Sequence, residues 1–154
     1  MTSEEIKRKL VTSLKKNSRK VTRQRLEIIE VLSRNRSHPS ARTILKMVRQ
    51  KVPSVSLSTV YYTLDLFKKD GSIKELEFYD MENRYESNVR HHLDLVCLGC
   101  GKIMDYVEQI PIPIGRVERK TGFAVNRIRY EYYGYCKNCR RSRVKKFKIG
   151  QRKE

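Results

Sequence analysis

Every cysteine in this chain belongs to a Cys-x-x-Cys pair, Cys97 with Cys100 and Cys136 with Cys139, and this limits the fold more than any other feature. Two residues between thiolates let both sulfurs turn onto one ion. Two such pairs complete a tetrahedral zinc site with no open position, which makes the site structural. Gly99 and Gly101 allow the positive φ that such a knuckle often needs. The 35 residues between the pairs exceed the spacing of a simple ribbon. The two knuckles are therefore expected at opposite ends of one small β unit, pinning it shut. A redox Cys-x-x-Cys sits at the start of a helix in a βαβ unit, and neither pair is expected there. Structural zinc accounts for the cysteines and is nearly silent about function.

A metal staple suits the size. A chain of 154 residues holds one ordinary domain or two small ones. Small domains have thin cores and lean on a metal, a disulfide or a partner subunit. The formal net charge of +18 favours a polyanionic partner, and its distribution is uneven. Residues 1–80 carry 18 basic against 9 acidic groups, residues 81–136 carry 8 against 7, and residues 137–154 carry 9 against 1. A membrane-surface reading needs an apolar face or a lipid anchor beside the basic residues, and the sequence has neither. It also has no signal-peptide pattern and no apolar run long enough to span a bilayer. The expectation is a cytoplasmic protein without a membrane partner, in a compartment where paired cysteines bind metal.

Helical periodicity dominates up to Gly71. Ile6, Leu10 and Leu14 recur at four-residue spacing. Thr22 can cap a second helix with an apolar stripe at Leu26, Ile29 and Leu32. His38-Pro39-Ser40 breaks the chain, and Ser40 can cap a third helix carrying Ile44, Leu45 and Val48, with Pro53 at or past its end. In the fourth helix Leu57, Val60, Leu64 and Phe67 form one buried stripe, and Ser58, Tyr61, Tyr62, Asp65 and Lys68 lie opposite. Asp70-Gly71 stops it. Short strands follow near Ile73–Phe78 and Arg84–Glu86, with Asp80–Asn83 as their turn. Three helices and a hairpin are the winged-helix order, here with a leading helix. Beyond His91 the pattern turns to strands at Leu93–Cys97 and Ile103–Val107. After Ile110-Pro-Ile-Pro-Ile come a short basic helix around Val117 and a long strand over Phe123–Tyr135. The last 14 residues are basic and poor in apolar groups, the composition of a flexible tail.

Lys20-Val-Thr-Arg-Gln-Arg, His38-Pro-Ser-Ala, Ser58-Thr-Val-Tyr, Asn83-Arg-Tyr-Glu, His91-His92, Cys97-x-x-Cys-Gly-Lys and Tyr133-Gly-Tyr-Cys-x-x-Cys form one ordered series. In order and spacing it resembles the Fur family of ferric-uptake-regulator-like repressors, over about residues 20–140. The resemblance implies an α+β protein with three parts. These are an N-terminal winged helix-turn-helix DNA-binding domain over residues 1–86, a small α/β zinc-stapled dimerisation domain over 87–140, and a basic tail over 141–154. It implies a homodimer on a double-stranded operator, and the two-fold symmetry then predicts an inverted repeat. On the family pattern Ser58, Thr59, Tyr61 and Tyr62 lie on or near DNA, and Lys20 matches a basic residue that reaches the minor groove. Tyr62 departs from the pattern, because many members carry Arg there. Taken on their own, the hydroxyls of this face can bond phosphates or base edges, and tyrosine can stack or touch a thymine methyl.

The same resemblance implies a regulatory metal held by His38, Glu86, His92, Asp94 and Asp105. His38 comes from the DNA-binding half, Glu86 from the hinge and the other three from the second half. An ion held by all five draws the halves together, which turns binding into a conformational signal. Asp94 stands where related regulators often have histidine. Two nitrogens and three carboxylates form a harder donor set, suited to Fe(II) or Mn(II) more than to zinc. Iron sensors of the family tend to place Glu at the position of Asp105 and peroxide sensors Asp, so this chain resembles the peroxide-sensing branch there. As isolated residues, His38 reads as a loop or cap residue and His91-His92 as an exposed linker. The alternative for the whole chain is a zinc-ribbon nucleic-acid-binding protein with no sensing role. It explains the charge and the cysteines but not the ordered His and carboxylate residues. No nucleophile–base pattern or phosphate loop marks an enzyme.

Overall fold

Thr2 and Glu5 start the first helix as a reciprocal cap. The Thr2 hydroxyl accepts from the Glu5 N–H at 3.2 Å, and the Glu5 carboxylate accepts from the Thr2 N–H at 2.7 Å. Helix α1 (Ser3–Lys16) buries Ile6, Leu10 and Leu14 on one stripe. The computed structural model describes residues 1–78, 81–90, 92–107, 113–126 and 128–141, and the chain divides into two units, Met1–Arg90 and the residues after it. The basic tail beyond residue 141, residues 110–112 of the proline-rich segment, His91 and part of the expected turn at 80–83 lie outside the described residues.

Three further helices build the first unit. The caps fall where the sequence places them: Thr22 accepts from the Arg25 N–H to open α2 (Arg23–Arg34), and Ser40 accepts from the Thr43 N–H to open α3 (Ala41–Arg49). Ser56 accepts from the Thr59 N–H to open α4 (Leu57–Lys69), a cap the sequence reading did not assign. Val60, Leu64 and Phe67 of α4 are fully buried against Ile28, Ile29, Leu32, Ile44 and Val48, while Leu57 at its start is half-buried. Each buried aliphatic or aromatic side chain contributes about 1.5–3 kcal/mol. Gly71, at φ 70°, reverses the chain after α4, a left-handed conformation that glycine adopts without strain. Strands β1 (Lys74–Leu76) and β2 (Arg84–Glu86) then pair antiparallel, Glu75 opposite Tyr85. The order α2, α3, α4 and hairpin is a winged helix-turn-helix.

A part-buried polar junction holds the wing to α4. The Glu75 carboxylate accepts from Lys68 Nζ at 2.6 Å, from the Tyr85 hydroxyl at 2.9 Å and from Asn83 Nδ2 at 3.0 Å. Burial raises the Glu75 pKa, but these donors outweigh it and hold the carboxyl below its usual range. Glu75→Ala takes the acceptor from the part-buried Asn83 and Tyr85 donors, while the exposed Lys68 turns to water, and a buried donor left unsatisfied costs about 1–3 kcal/mol. We expect a lower denaturation midpoint for this variant with zinc content unchanged, measured by chemical unfolding and metal analysis. An unchanged midpoint refutes the junction's role.

The second unit is a three-stranded sheet in the order β4-β3-β5. Strand β3 (Leu93–Cys97) runs antiparallel to β4 (Ile103–Tyr106) and parallel to β5 (Glu131–Gly134), with α5 (Ile114–Thr121) between β4 and β5 in sequence. The long strand expected over Phe123–Tyr135 is only Glu131–Gly134, and the described residues of 123–130 are not in strand. Its β-branched and aromatic residues suit a pleated surface, but a strand needs an edge to pair with. The Asp94–Glu131 register already stands near the start of β3, and the bond from the Asp94 N–H to the Tyr130 carbonyl at 2.9 Å leaves little of that strand for residues before Tyr130.

Candidate metal centres and nucleic-acid interface

Parallel pairing decides the geometry of the cysteines. Cys97, the last residue of β3, lies opposite Gly134 of β5, two residues before Cys136. Both knuckles thus leave the same end of the sheet. This corrects the expectation of opposite ends, which the 35-residue gap suggested because sequence spacing does not reveal strand direction. The four sulfurs lie within 4.8 Å of one another. Cys100 and Cys136 Sγ are 3.9 Å apart, close to the roughly 3.8 Å edge of a tetrahedron with Zn–S of about 2.3 Å. No pair is joined as a disulfide. The Cys136 N–H lies 3.2 Å from Cys97 Sγ and brings that thiol down to about 6. Hydrogen bonding to the Cys136, Cys100 and Cys97 sulfurs pushes Cys139 up to about 12. Four sulfurs this close cannot all ionise without a cation among them, and a zinc ion fits that need.

The two glycines of the first knuckle have different tasks. Gly101 has φ 68°, as the sequence suggested. Gly99 is not among the positive-φ glycines; it is needed for space. A Cβ there would stand 2.9 Å from Cys139 Cβ and 3.0 Å from its sulfur. The second pair also departs from expectation, because residues 137–141 form a helical turn that begins directly after Cys136 and carries Cys139 in its middle. Helix position alone would thus admit a redox motif, but the close approach of all four sulfurs favours a shared ion.

Each unit places its own His and carboxylate residues close together. In the first, His38 Nε2 stands 3.0 Å from Glu86 Oε2, and both side chains are buried. The Tyr85 N–H donates to the Pro39 carbonyl at 3.0 Å and Ser40 bridges Arg84, so the segment after His38 runs alongside β2. His38 has φ 52°, a strained backbone for a residue other than glycine, and strain of this kind clusters at functional sites. That signal is conformational and is invisible in sequence. Lys74 Nζ, 3.5 Å from Glu86 Oε1, is a neighbouring cation that sequence reasoning missed. In the second unit His92 Nε2 is 3.3 Å from Asp94 Oδ1, both buried, and Asp94 lies directly across the ladder from Asp105. His92, Asp94 and the exposed Asp105 each offer a ligand atom within 4.8 Å of the others. Nitrogen and carboxylate oxygen in this mixture suit a divalent first-row ion.

The polar face of α4 is open. Tyr61 and Tyr62 are 48% and 46% exposed, and Ser58 and Lys20 are exposed as well. Thr59 is half-buried, and its hydroxyl lies 2.9 Å from the capping Ser56 hydroxyl. The rings of Tyr61 and Tyr62 therefore do not belong to the core. Arg19 and Arg25 lie within cation–π reach of Tyr62, a feature that helical periodicity could not show. Among the described residues no helix is long and apolar enough to cross a membrane.

The profile of the ferric uptake regulator family matches residues 16–133. The peroxide operon regulator of Bacillus subtilis is 36% identical over 146 residues, which cover 90% of this chain and 96% of the relative. The peroxide-responsive repressor PerR of Staphylococcus epidermidis is 35% identical over 137 residues, covering 84% and 87%. The structure of the Helicobacter pylori ferric uptake regulator Fur, which has three functional metal binding sites, matches at 33% identity with a TM-score of 0.73, covering 91% of this chain and 95% of that one. Proteins of this family are transcriptional regulators that bind DNA operators as dimers, and they are not enzymes. By profile, by identity along most of both lengths and by fold, this chain belongs to the ferric uptake regulator family of metal-responsive repressors.

Proposed function

We propose that this repressor holds Fe(II) or Mn(II) through His38 and Glu86 of the first unit together with His92, Asp94 and Asp105 of the second, and that peroxide relieves repression in the iron form. The observation that carries the reading is the buried His38–Glu86 pair, whose histidine sits at strained φ in the DNA-binding unit. A pair confined to that unit controls nothing by itself. Sharing an ion with the second unit makes the angle between the units depend on metal. The relatives' names support peroxide as the signal, and Asp105 agrees with them. Zinc at Cys97, Cys100, Cys136 and Cys139 maintains the second unit.

Dimerisation has a candidate surface. Cross-strand register and period-two alternation put Leu93, Leu95, Met104, Tyr106 and Tyr132 on one sheet face. Tyr132 is 64% exposed and Tyr106 45%, so this face is open in the single chain. Burying it against a second copy gives the two-fold symmetry that matches an inverted-repeat operator. Each copy presents Lys20, Ser58, Thr59, Tyr61 and Tyr62 to one half-site.

The test joins metal analysis to operator binding. Full-length protein loaded with manganese should bind an inverted-repeat duplex. A chelator too weak to remove zinc should lower that affinity, by about 5–150-fold for a coupling of ordinary size. His38→Ala and Asp94→Ala should give the same loss without chelator, while binding to random duplex stays nearly constant. Operator binding indifferent to chelation would point instead to a zinc-ribbon protein that senses nothing.

A further inference from the structure

We propose that Tyr62 is a positioning residue that holds Arg19 and Arg25 against the phosphates of duplex DNA, so that two guanidiniums gathered on one ring supply the cationic contact a single arginine would make at that position. The proposal rests on the reading of α4 as the DNA-facing helix. Its own evidence is geometric. The guanidinium carbons of Arg19 and Arg25 lie 5.7 and 5.6 Å from the centre of the Tyr62 ring. The three residues come from three pieces of chain: Arg19 from the link after α1, Arg25 from the first turn of α2 and Tyr62 from α4.

The link is fixed in place. The Arg19 N–H donates to the Leu14 carbonyl at 2.8 Å, and Ser18 before it takes φ 52°. Arg25 Nη1 donates to the Lys20 carbonyl at 2.7 Å, so one arginine also holds the backbone that carries Arg19 and Lys20. Among the described residues neither guanidinium forms an ion pair with a carboxylate. Two cations drawn to one ring repel each other, and the ring and the Lys20 carbonyl offset only part of that repulsion. A phosphate relieves it with charge-assisted hydrogen bonds, and a planar guanidinium suits a phosphate. The exposed ring thus keeps two donors extended toward a polyanion, where a free arginine would be spread over many rotamers.

The test uses the full-length, manganese-loaded dimer and measures affinity for operator and for random duplex across a salt series. Arg19→Ala and Arg25→Ala should each weaken both duplexes and lower the slope of log K against log salt by about 1. Tyr62→Phe keeps the ring and should lose far less affinity than Tyr62→Ala, with each Arg→Ala keeping its full effect in the Tyr62→Phe background. Tyr62→Ala removes no charge, yet it should weaken binding, and in its background each Arg→Ala should lose part of its effect. Tyr62→Phe as damaging as Tyr62→Ala would overturn the proposal, because the hydroxyl would then be the contact. So would arginine variants that leave the salt slope unchanged. Tyr61→Ala separates the two levels: if it weakens operator binding while the arginine variants do nothing, only this inference fails. If Tyr61→Ala is also neutral, the reading of α4 fails with it. Melting temperature and dimer state, measured on every variant, identify a loss of folding.

Discussion

Cys97→Ser is expected to release zinc and unfold the second unit. Structural zinc contributes on the order of 10–16 kcal/mol of binding free energy to small domains at neutral pH, more than a unit of this size can replace. Its only fully buried apolar side chains among the described residues are Val96, Cys97 and Ile103, and Cys97 is itself a candidate ligand. The first unit packs sixteen buried residues into one cluster and should remain folded. The expected result is therefore selective: zinc lost, monomers formed, and helical signal largely retained. Cys136→Ser should behave alike. Gly99→Ala is a graded control, because its methyl would meet Cys139 Cβ at 2.9 Å while all four sulfurs remain. It should weaken zinc retention against a competing chelator without abolishing it. Zinc content, near- and far-ultraviolet circular dichroism and sedimentation measure these outcomes. A zinc-free Cys97→Ser protein that stays folded and dimeric would sink the claim.

The legible parts of the sequence were those governed by local chemistry. Thr22 and Ser40 are read as caps because a hydroxyl before an apolar stripe satisfies orphan N–H groups, and both do so here. The stripe at Val60, Leu64 and Phe67 is read from its spacing, and it is buried. What resisted was non-local. The direction of β5 against β3 puts both knuckles at one end, and no residue in either strand encodes that direction by itself. The shortness of β5 depends on where β3 begins. In sequence Gly99 reads as a glycine of conformation, but it is a glycine of space, because the residue it must clear, Cys139, lies forty residues away. The candidate ligands were found in order only through their likeness to a family; periodicity offered nothing that separates Glu86 or Asp105 from solvated carboxylates. The strained φ of His38 and the two arginines at Tyr62 appear only in three dimensions.

Peroxide added to the iron-loaded protein should leave one oxygen atom on His38 or His92 and weaken operator binding. His38, Glu86, His92, Asp94 and Asp105 would hold the ion, and ferrous iron bound there would supply the one-electron chemistry that starts cleavage of the peroxide O–O bond. Overall the imidazole loses two electrons, a ring carbon gains the oxygen, and the other peroxide oxygen leaves as water. His38 and His92 are buried, 2% and 5% accessible, so only a small reagent reaches them. Each has a ligand carboxylate beside its ring nitrogen, Glu86 at 3.0 Å and Asp94 at 3.3 Å, so each pair can bind one ion together. An oxidised ring loses the basic nitrogen that a metal needs. The ion then loosens, the two units are no longer held to one angle, and operator affinity falls by the full metal coupling, about 5–150-fold. Manganese, which does not reduce peroxide, should protect both the histidines and the complex. Asp105→Glu tests the residue that separates the two behaviours on the family resemblance; it should keep metal-dependent binding and lower the yield of oxidised histidine. The measurement is peptide mass spectrometry beside operator titration, with iron and manganese samples treated in parallel. Oxygen confined to methionine or cysteine, with operator binding intact, would exclude peroxide as the signal and leave a repressor that reports metal availability alone.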